Sequence, residues 1–526
     1  MRIRSKPRIV LSAFILSLAG TIQAWPSDTV GAAPADCGSL GTDWPDTPLT
    51  AHEHEDGLLC RDGDTGLALF LAHAEMRPDN KKTGNGTAFL RRQMPLVLLT
   101  GGPGTAAEAS LAYLRRLAVR LNRPVFLAAP SGTWGPLAKR LSCREDAPPG
   151  DGPAREETAG PAETPSGAMV ESCLMMIRQQ GLTRQLQDTR TIAQTLARLR
   201  QTLNIERWHV MGESYGARPA LALAALDTSG TASLVLDSPE TPHVPLYWQT
   251  AGNIDGALAR LNALCRRDRA CPARRRDFTG MINTIVSRLD RSPRAQNADA
   301  AQPTGAIPPG TGDAASVLAD IALALRHRSS IAQLPYTLVE WLQADAPGFR
   351  PSTAGTQDGR PDRQPDRQPD RQPDRALVTG LYHWVRCREL PMERWYGEAG
   401  TGPARVSYLA PLITSLTAWQ RKACEALGIT PPDAAMPIAP VGVPILVLTG
   451  GLDPVTPAAA VTQAFRDWPE THIRLFETGG HVLARQHACI LREIGAFLNG
   501  ARAARALAHC SRRDMAIDYY RRVHVR

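Results

Sequence analysis

The chain has 526 residues, a formal net charge of +9 and 43% hydrophobic residues. This length allows one large buried core with a second region inserted into it. The arginines are spread along the chain instead of forming a basic patch interleaved with aromatic residues, which argues against a nucleic-acid partner.

The first 24 residues have the pattern of a signal peptide. Four basic residues lie within the first eight positions, an apolar stretch covers residues 9–19, and Ala24 is a small residue at the cleavage position. The apolar stretch is too short to span a bilayer comfortably. We therefore expect an exported protein, periplasmic or secreted, with no membrane contact after cleavage. An uncleaved membrane anchor is the alternative.

The ten cysteines fit an oxidising compartment, because their number is even and none forms a Cys-x-x-Cys pair. Buried free thiols would conflict with a signal peptide. The cysteine and histidine spacings fit no zinc finger, so no metal is predicted. Pairing of neighbours along the chain is the simplest connectivity and gives 37–60, 143–173, 265–271, 387–424 and 489–510.

Short apolar runs alternate with amphipathic stretches in residues 25–242 and 439–526. This alternation predicts an α/β fold, a mainly parallel sheet with helices on both faces. Strands are predicted at 67–76, 94–99, 124–129, 208–211, 232–236, 444–448 and 472–476, and helices at 107–121, 184–203 and 217–226.

Residues 243–438 break this rhythm. Helices are predicted at 253–264 and 314–325, and the connectors between them are rich in Pro, Gly and Ala. We expect a mostly helical cap domain, inserted between the two parts of the core. Such a lid decides what reaches a site beneath it.

Three segments are predicted to lack regular secondary structure. Residues 25–66 form an irregular lead-in, partly held by a disulfide, and residues 145–167 are crowded with Pro, Gly, Glu and Thr. Residues 361–375 repeat the tetrapeptide Pro-Asp-Arg-Gln. So short a polar repeat cannot bury a core, and we assign it no catalytic role.

The most informative motif follows the predicted strand at 208–211 and reads Gly212-Glu213-Ser214-Tyr215-Gly216. A strand that runs into Gly-x-Ser-x-Gly is typical of a nucleophile elbow, a strained turn that lifts the serine hydroxyl clear of the sheet. By composition, such a motif occurs by chance in roughly one chain in five of this length. Its weight therefore depends on the motifs that accompany it.

Asp453 and His481 follow Ser214 in the order that α/β-hydrolases use. Asp453 lies on a loop after the predicted strand 444–448, from which a carboxylate can fix the tautomer of a histidine. His481 lies on a glycine-rich loop after the next predicted strand. We predict Ser214 as nucleophile, His481 as general base and Asp453 as its partner, with no cofactor.

An oxyanion hole is predicted after the strand at 94–99, which ends in Thr100-Gly101-Gly102-Pro103-Gly104. The backbone N–H groups of a glycine pair can point at a developing oxyanion. Gly102 or Gly101 supplies one predicted donor. Tyr215, the residue after the nucleophile, supplies the second.

These motifs resemble those of the proline iminopeptidase and tripeptidyl aminopeptidase family of capped α/β-hydrolases. The resemblance implies an exopeptidase that releases residues from free peptide N-termini, with acidic cap residues that bind the substrate amine. Glu389 is the first candidate for that role, followed by Glu340 and Glu393. The matching segments are Gly-Gly-Pro-Gly at 101–104, Gly-Glu-Ser-Tyr-Gly at 212–216, Cys-Arg-Glu at 387–389, Asp-Pro-Val-Thr-Pro at 453–457 and Gly-His at 480–481.

Two departures from the family pattern leave the substrate open. Residues 128–132 read Ala-Ala-Pro-Ser-Gly where the family usually carries Asp-x-Arg-Gly, and Thr100 stands where His or Asn is common. The predicted partner is therefore a peptide or another small acyl substrate, and the oligomeric state stays open.

Three other functions compete with the exopeptidase. An esterase or other acyl hydrolase would use the same triad. A serine carboxypeptidase shares Gly-Gly-Pro-Gly and Gly-Glu-Ser-Tyr, but only 28 residues separate Asp453 from His481, a shorter gap than that family normally shows. A non-catalytic binding protein on this fold would be expected to have lost a member of the triad.

Overall fold

The structure is a computed structural model. It describes residues 36–39, 58–72, 93–143, 167–240, 250–290, 314–343, 377–390, 409–432, 440–500 and 509–520. The predicted signal peptide, the repeat at 361–375 and residues 145–166 lie outside the described residues.

A nine-stranded sheet runs through the described residues, in the order β1-β2-β3-β5-β4-β6-β7-β8-β9. From β5 to β9 in this order every pairing is parallel, whereas β1, β2 and β3 add to the β5 edge as antiparallel strands. The prediction of a mainly parallel sheet is confirmed. The strands are β1 (Asp36–Ser39), β2 (Leu58–Arg61), β3 (Ala68–Ala72), β4 (Leu96–Leu99), β5 (Val125–Ala129), β6 (Trp208–Glu213), β7 (Thr231–Asp237), β8 (Ile445–Gly450) and β9 (Thr471–Phe476).

Thirteen helices lie among the described residues, numbered here in chain order. They are α1 (Leu111–Leu121), α2 (Gly135–Leu141), α3 (Gly167–Gln179), α4 (Thr189–Thr202), α5 (Ala217–Leu226), α6 (Thr250–Arg267), α7 (Phe278–Asp290), α8 (Ala314–Ala324), α9 (Arg328–Gln343), α10 (Thr379–Glu389), α11 (Leu409–Leu427), α12 (Ala458–Phe465) and α13 (Ala488–Leu498).

The central strands are apolar along their length because helices cover the sheet on both faces. In β4, Leu96 and Leu98 pack into a core with α1 and α13, whereas Val97 and Leu99 pack into a core with α4, α5 and α12. Alternate side chains of a strand point to opposite faces, so one short strand contributes to both cores.

Two predictions for the first part of the chain are corrected. The helix predicted over 184–203 begins only at Thr189, because Asp188 accepts a hydrogen bond from the Thr191 N–H and caps that end. Residues 182–185 form a separate 3₁₀ turn. The predicted irregular lead-in is wrong for β1 and β2, which pair with each other and extend the sheet.

Between β7 and β8 the described residues form helices α6 to α11. Helices α6 to α9 share one buried apolar cluster, and α10 and α11 share another with α2 and α3. The bounds predicted for the cap, 243–438, stay a prediction. Among the described residues, no helix has both the length and the apolar character that a membrane crossing requires.

Four of the predicted disulfide pairings are confirmed. Cys60 is also disulfide-bonded and lies opposite Cys37 in the register of β1 and β2. None of the described cysteines is free. The confirmed pairs are Cys143–Cys173, Cys265–Cys271, Cys387–Cys424 and Cys489–Cys510.

Candidate active site

A tight turn between β6 and α5 carries Ser214. The serine has a left-handed φ of +52°, a strained conformation for a residue with a side chain. The turn needs glycine on both sides. A Cβ on Gly216 would lie 2.1 Å from the Leu99 carbonyl oxygen, and one on Gly212 would lie 2.6 Å from the Gly216 carbonyl oxygen. The predicted strand, turn and helix are therefore all present around Ser214.

Ser214, His481 and Asp453 meet at the ends of β6, β8 and β9. Nε2 of His481 lies 2.9 Å from Oγ of Ser214, and Nδ1 lies 2.8 Å from Oδ2 of Asp453. Ser214 is 8% exposed, and Asp453 and His481 are 3% exposed each. An imidazole in this position can accept the serine proton while its other nitrogen donates to the carboxylate.

The turn after β8 fixes the carboxylate of Asp453. Its Oδ1 accepts hydrogen bonds from the backbone N–H groups of Val455 (2.8 Å) and Thr456 (2.9 Å). The Thr456 hydroxyl lies 2.8 Å from Oδ2. Because both oxygens accept hydrogen bonds, the carboxylate is held in one orientation, facing His481.

The loop that carries His481 is anchored to the end of β7. The backbone N–H groups of Leu483 and Ala484 donate to the two oxygens of Asp237 at 2.9 and 2.7 Å. The N–H of Val482 donates to Oγ of Ser238 at 2.9 Å. Burial raises the pKa of Asp237 to about 7, although the bonds from Ala484 and Leu483 favour its ionised form.

A second anchor joins the same loop to the elbow. Arg485 donates from Nε and Nη2 to Oε2 of Glu213 at 2.9 and 2.8 Å, and its guanidinium lies over the ring of Tyr113. Glu213 occupies a position that the elbow motif leaves unspecified, so the motif contains no signal for this contact. The partner in space is 272 residues away in sequence.

The predicted oxyanion loop lies against the nucleophile. A Cβ on Gly101 would stand 2.9 Å from Cβ of Ser214 and 3.5 Å from its Oγ. Gly102 has a φ of +116°, a conformation that favours glycine. Among the described residues, nothing accepts a hydrogen bond from the backbone N–H of Gly101 or Gly102. An oxyanion hole requires backbone N–H groups that are not already bonded to another acceptor.

The three carboxylates suggested for the substrate amine differ in position. Glu340 is exposed on α9, and Glu393 lies outside the described residues. Glu389, at the end of α10, lies beside the elbow and accepts a 2.9 Å hydrogen bond from the Tyr215 hydroxyl. Both of its oxygens are also contacted by Thr189, and Oε2 lies 3.4 Å from Nε of Arg218. Burial raises its pKa despite the charge of Arg218.

A small cavity lies beside the oxyanion loop. Its lining includes Gly101 and Tyr215 together with Ala128, Pro130 and Ile192. Ala128 and Pro130 belong to the segment where the family pattern would place Asp and Arg. Within the described part of the chain, no group of three or more His, Cys, Asp or Glu residues could hold a metal ion.

A family model described as the alpha/beta hydrolase fold matches residues 173–487, which include Ser214, Asp453 and His481. No curated protein sequence matches the chain.

Solved structures similar to this chain include a peptidase and several esterases. A proline iminopeptidase from Mycobacterium smegmatis is 14% identical, with a TM-score of 0.36, over 84% of this chain and 97% of its own. A thermophilic esterase from Thermogutta terrifontis is 12% identical, with a TM-score of 0.30, over 90% of this chain and 100% of its own. The naproxen esterase of Bacillus subtilis is 10% identical, with a TM-score of 0.29, over 82% of this chain and 87% of its own. Likenesses of this size do not discriminate between activities.

Proposed function

Because the chain belongs to the alpha/beta hydrolase fold family, we propose that it is a serine hydrolase with Ser214 as its nucleophile. The observation that carries this proposal is the pair of contacts made by His481. One ring nitrogen lies 2.9 Å from Oγ of Ser214 and the other 2.8 Å from Asp453. One fold hosts many activities, so this geometry supports the proposal more strongly than the sheet does.

In the proposed mechanism, Oγ of Ser214 attacks a substrate carbonyl while His481 takes its proton. Asp453 stabilises the imidazolium, and the N–H groups of Gly102 or Gly101 and Tyr215 hold the oxyanion. The tetrahedral intermediate collapses, and His481 gives the proton to the leaving group. Water then attacks the acyl-enzyme with His481 as base, which frees the acid and restores Ser214.

For the substrate we propose a peptide or aminoacyl compound with a free N-terminus, cleaved outside the cytoplasm. The motif resemblance supports this choice, and so does a buried carboxylate, Glu389, in contact with Tyr215 beside the nucleophile. A carboxylate in a water-poor cleft attracts an α-ammonium more strongly than one in bulk water. The signal-peptide pattern and the disulfides support the export part of the proposal.

An esterase is the second candidate, and one observation favours it. The small cavity beside Gly101 and Tyr215 is lined by apolar residues, glycines and threonines, and none of the described residues that line it carries a charge. An uncharged lining suits an uncharged acyl group better than an ammonium group.

A substrate panel separates these proposals. Free and N-acetylated aminoacyl-, prolyl- and tripeptidyl-chromogenic substrates would be assayed beside p-nitrophenyl esters and C-terminally free peptides, with Ser214→Ala as the control. If acetylation lowers kcat/KM by a large factor, the exopeptidase is supported. Rapid ester turnover with no effect of acetylation would identify an esterase, and release of C-terminal residues a carboxypeptidase.

Glu389→Gln tests the amine contact. If Glu389 binds the α-ammonium, the variant should lose most of the preference for free over acetylated substrates while it still hydrolyses p-nitrophenyl esters. Glu340→Gln, an exposed carboxylate on α9, is the matched control and should leave the preference unchanged. An unchanged preference in Glu389→Gln would remove this residue from the amine site.

A further inference from the structure

The start of helix α10 packs directly on the proposed oxyanion loop. Leu377 forms a β-bridge with Thr105, and the backbone N–H of Val378 donates to the Gly104 carbonyl at 2.9 Å. A Cβ on Gly104 would lie only 3.3 Å from the backbone nitrogen of Tyr382. The loop and the helix are therefore hydrogen-bonded, with little room for a side chain on Gly104 between them, although α10 lies more than 270 residues later in the chain.

Arg386, one turn before the end of α10, reaches the same loop with its side chain. Its Nη2 donates to the carbonyl oxygen of Gly102 at 3.2 Å, and its Nη1 donates to Oε1 of Glu240 at 3.0 Å. The side chain is 7% exposed. A planar guanidinium can hold two acceptors at once in a fixed geometry, which a lysine ammonium does less well.

Glu240 links Arg386 to a larger buried network. Oε1 of Glu240 also lies 3.4 Å from Nη1 of Arg218, whose Nε lies 3.4 Å from Glu389. The network contains two arginines and two glutamates, so its charges cancel. The network therefore adds no net charge beside the oxyanion loop, and its main effect is to hold the loop in position.

We infer that Arg386 is a positioning residue of the proposed oxyanion hole, where it holds the carbonyl group of Gly102, and with it the ψ rotation of that glycine, from the helical insertion. Glycine at a φ of +116° has wide conformational freedom, so an unsupported loop would sample several orientations of its N–H groups. Arg386 removes that freedom from the carbonyl side. Misplacement of a catalytic group by about 1 Å can cost a factor of ~100 in rate. This inference rests on the proposed function, because it assigns a role within the same site.

The test is the second-order rate constant for inactivation by a fluorophosphonate probe, which forms a covalent bond to a catalytic serine and has no amine. Arg386→Met should lower this rate constant roughly 10- to 100-fold. That variant also leaves Glu240 buried with one partner fewer, which can perturb the protein by itself. The double variant Arg386→Met/Glu240→Gln removes both charges of this ion pair, while Arg218 keeps its contact with Glu389. The loss should persist in it because the Gly102 carbonyl is still unheld.

Arg200→Met is the matched control. It breaks another largely buried ion pair, in which Nε of Arg200 lies 2.6 Å from Asp227. Arg200 also donates to the Ile205 carbonyl, just before β6 begins, whereas Ser214 follows the end of β6, so the variant should react at the wild-type rate. Circular dichroism and the melting temperature identify any variant that has not folded. The pH profile of inactivation should keep its shape in the double variant. A double variant that reacts at the wild-type rate would overturn the inference. If the wild type does not react at all, the proposed function itself fails.

Discussion

The hydroxyl of Thr456 lies 2.8 Å from Oδ2 of Asp453, the same carboxylate oxygen that faces Nδ1 of His481 at 2.8 Å. Thr456 belongs to the Asp-Pro-Val-Thr-Pro segment and also donates its backbone N–H to the other oxygen. One residue of the turn therefore contacts both oxygens of the acid. We conclude that the turn after β8 orients the proposed triad before any substrate binds.

Thr456→Val should lower kcat several-fold with little change in KM, because it removes one hydrogen bond to the carboxylate and keeps the side-chain shape. Steady-state kinetics on the best substrate of the panel would measure the effect. The matched control is Thr449→Val, since the buried Thr449 hydroxyl has no hydrogen-bond partner among the described residues. It should leave kcat unchanged, and equal losses in both variants would contradict the role of Thr456.

Gly216→Ala should abolish activity and lower the melting temperature by several degrees. The new Cβ would lie 2.1 Å from the backbone oxygen of Leu99, so either β4 or the elbow must shift. Gly256→Ala is the control, because Gly256 lies inside α6 with no other atom near the added Cβ. That change should stabilise the protein by about 0.5–1 kcal/mol through helix propensity. Calorimetry would measure the melting temperature of both variants, and an activity assay would accompany it. A Gly216→Ala variant that is active and as stable as the wild type would contradict the geometry of the elbow.

Asp237 should make stability depend on pH. Burial raises its folded-state pKa to about 7, above the unfolded value near 4, so the folded protein binds the extra proton between these values. The contribution of Asp237 to the free energy of unfolding is therefore fully present below about pH 4 and is lost as the pH rises through 7. Urea unfolding of the wild type and Asp237→Asn should show the advantage of the wild type falling across this range. A constant difference would contradict the raised pKa.

Sequence patterns predicted the structure best where the local pattern and the tertiary fold favour the same conformation. Helix α5 has the predicted bounds, 217–226, because the elbow fixes its start. The order of Ser214, Asp453 and His481 also predicted that they would meet, since the carboxyl ends of parallel strands lie along one edge of the sheet. For α4 the apolar periodicity extends beyond the helix, and the cap at Asp188 decides where it begins.

Long-range contacts could not be predicted in the same way. The pairing of Glu213 with Arg485 and of Arg386 with Gly102 depends on how segments separated by more than 270 residues meet. Nothing in the local pattern of Arg386 distinguishes it from the other arginines of the chain. The strands of the lead-in were missed for a related reason, because four-residue strands are stabilised by their neighbours more than by their own composition.

The most direct test of the account is to locate the covalent adduct of a fluorophosphonate probe by peptide mapping and mass spectrometry. Ser214 should carry one adduct per protein molecule, and Ser214→Ala should carry none. Ser238 is an internal control, because it resembles Ser214 in being a buried serine with a positive φ. Its Oγ accepts a hydrogen bond from the N–H of Val482, on the loop that carries His481. It should stay unmodified. An adduct on Ser238, or labelling that persists in Ser214→Ala, would contradict the assignment of Ser214 as the nucleophile.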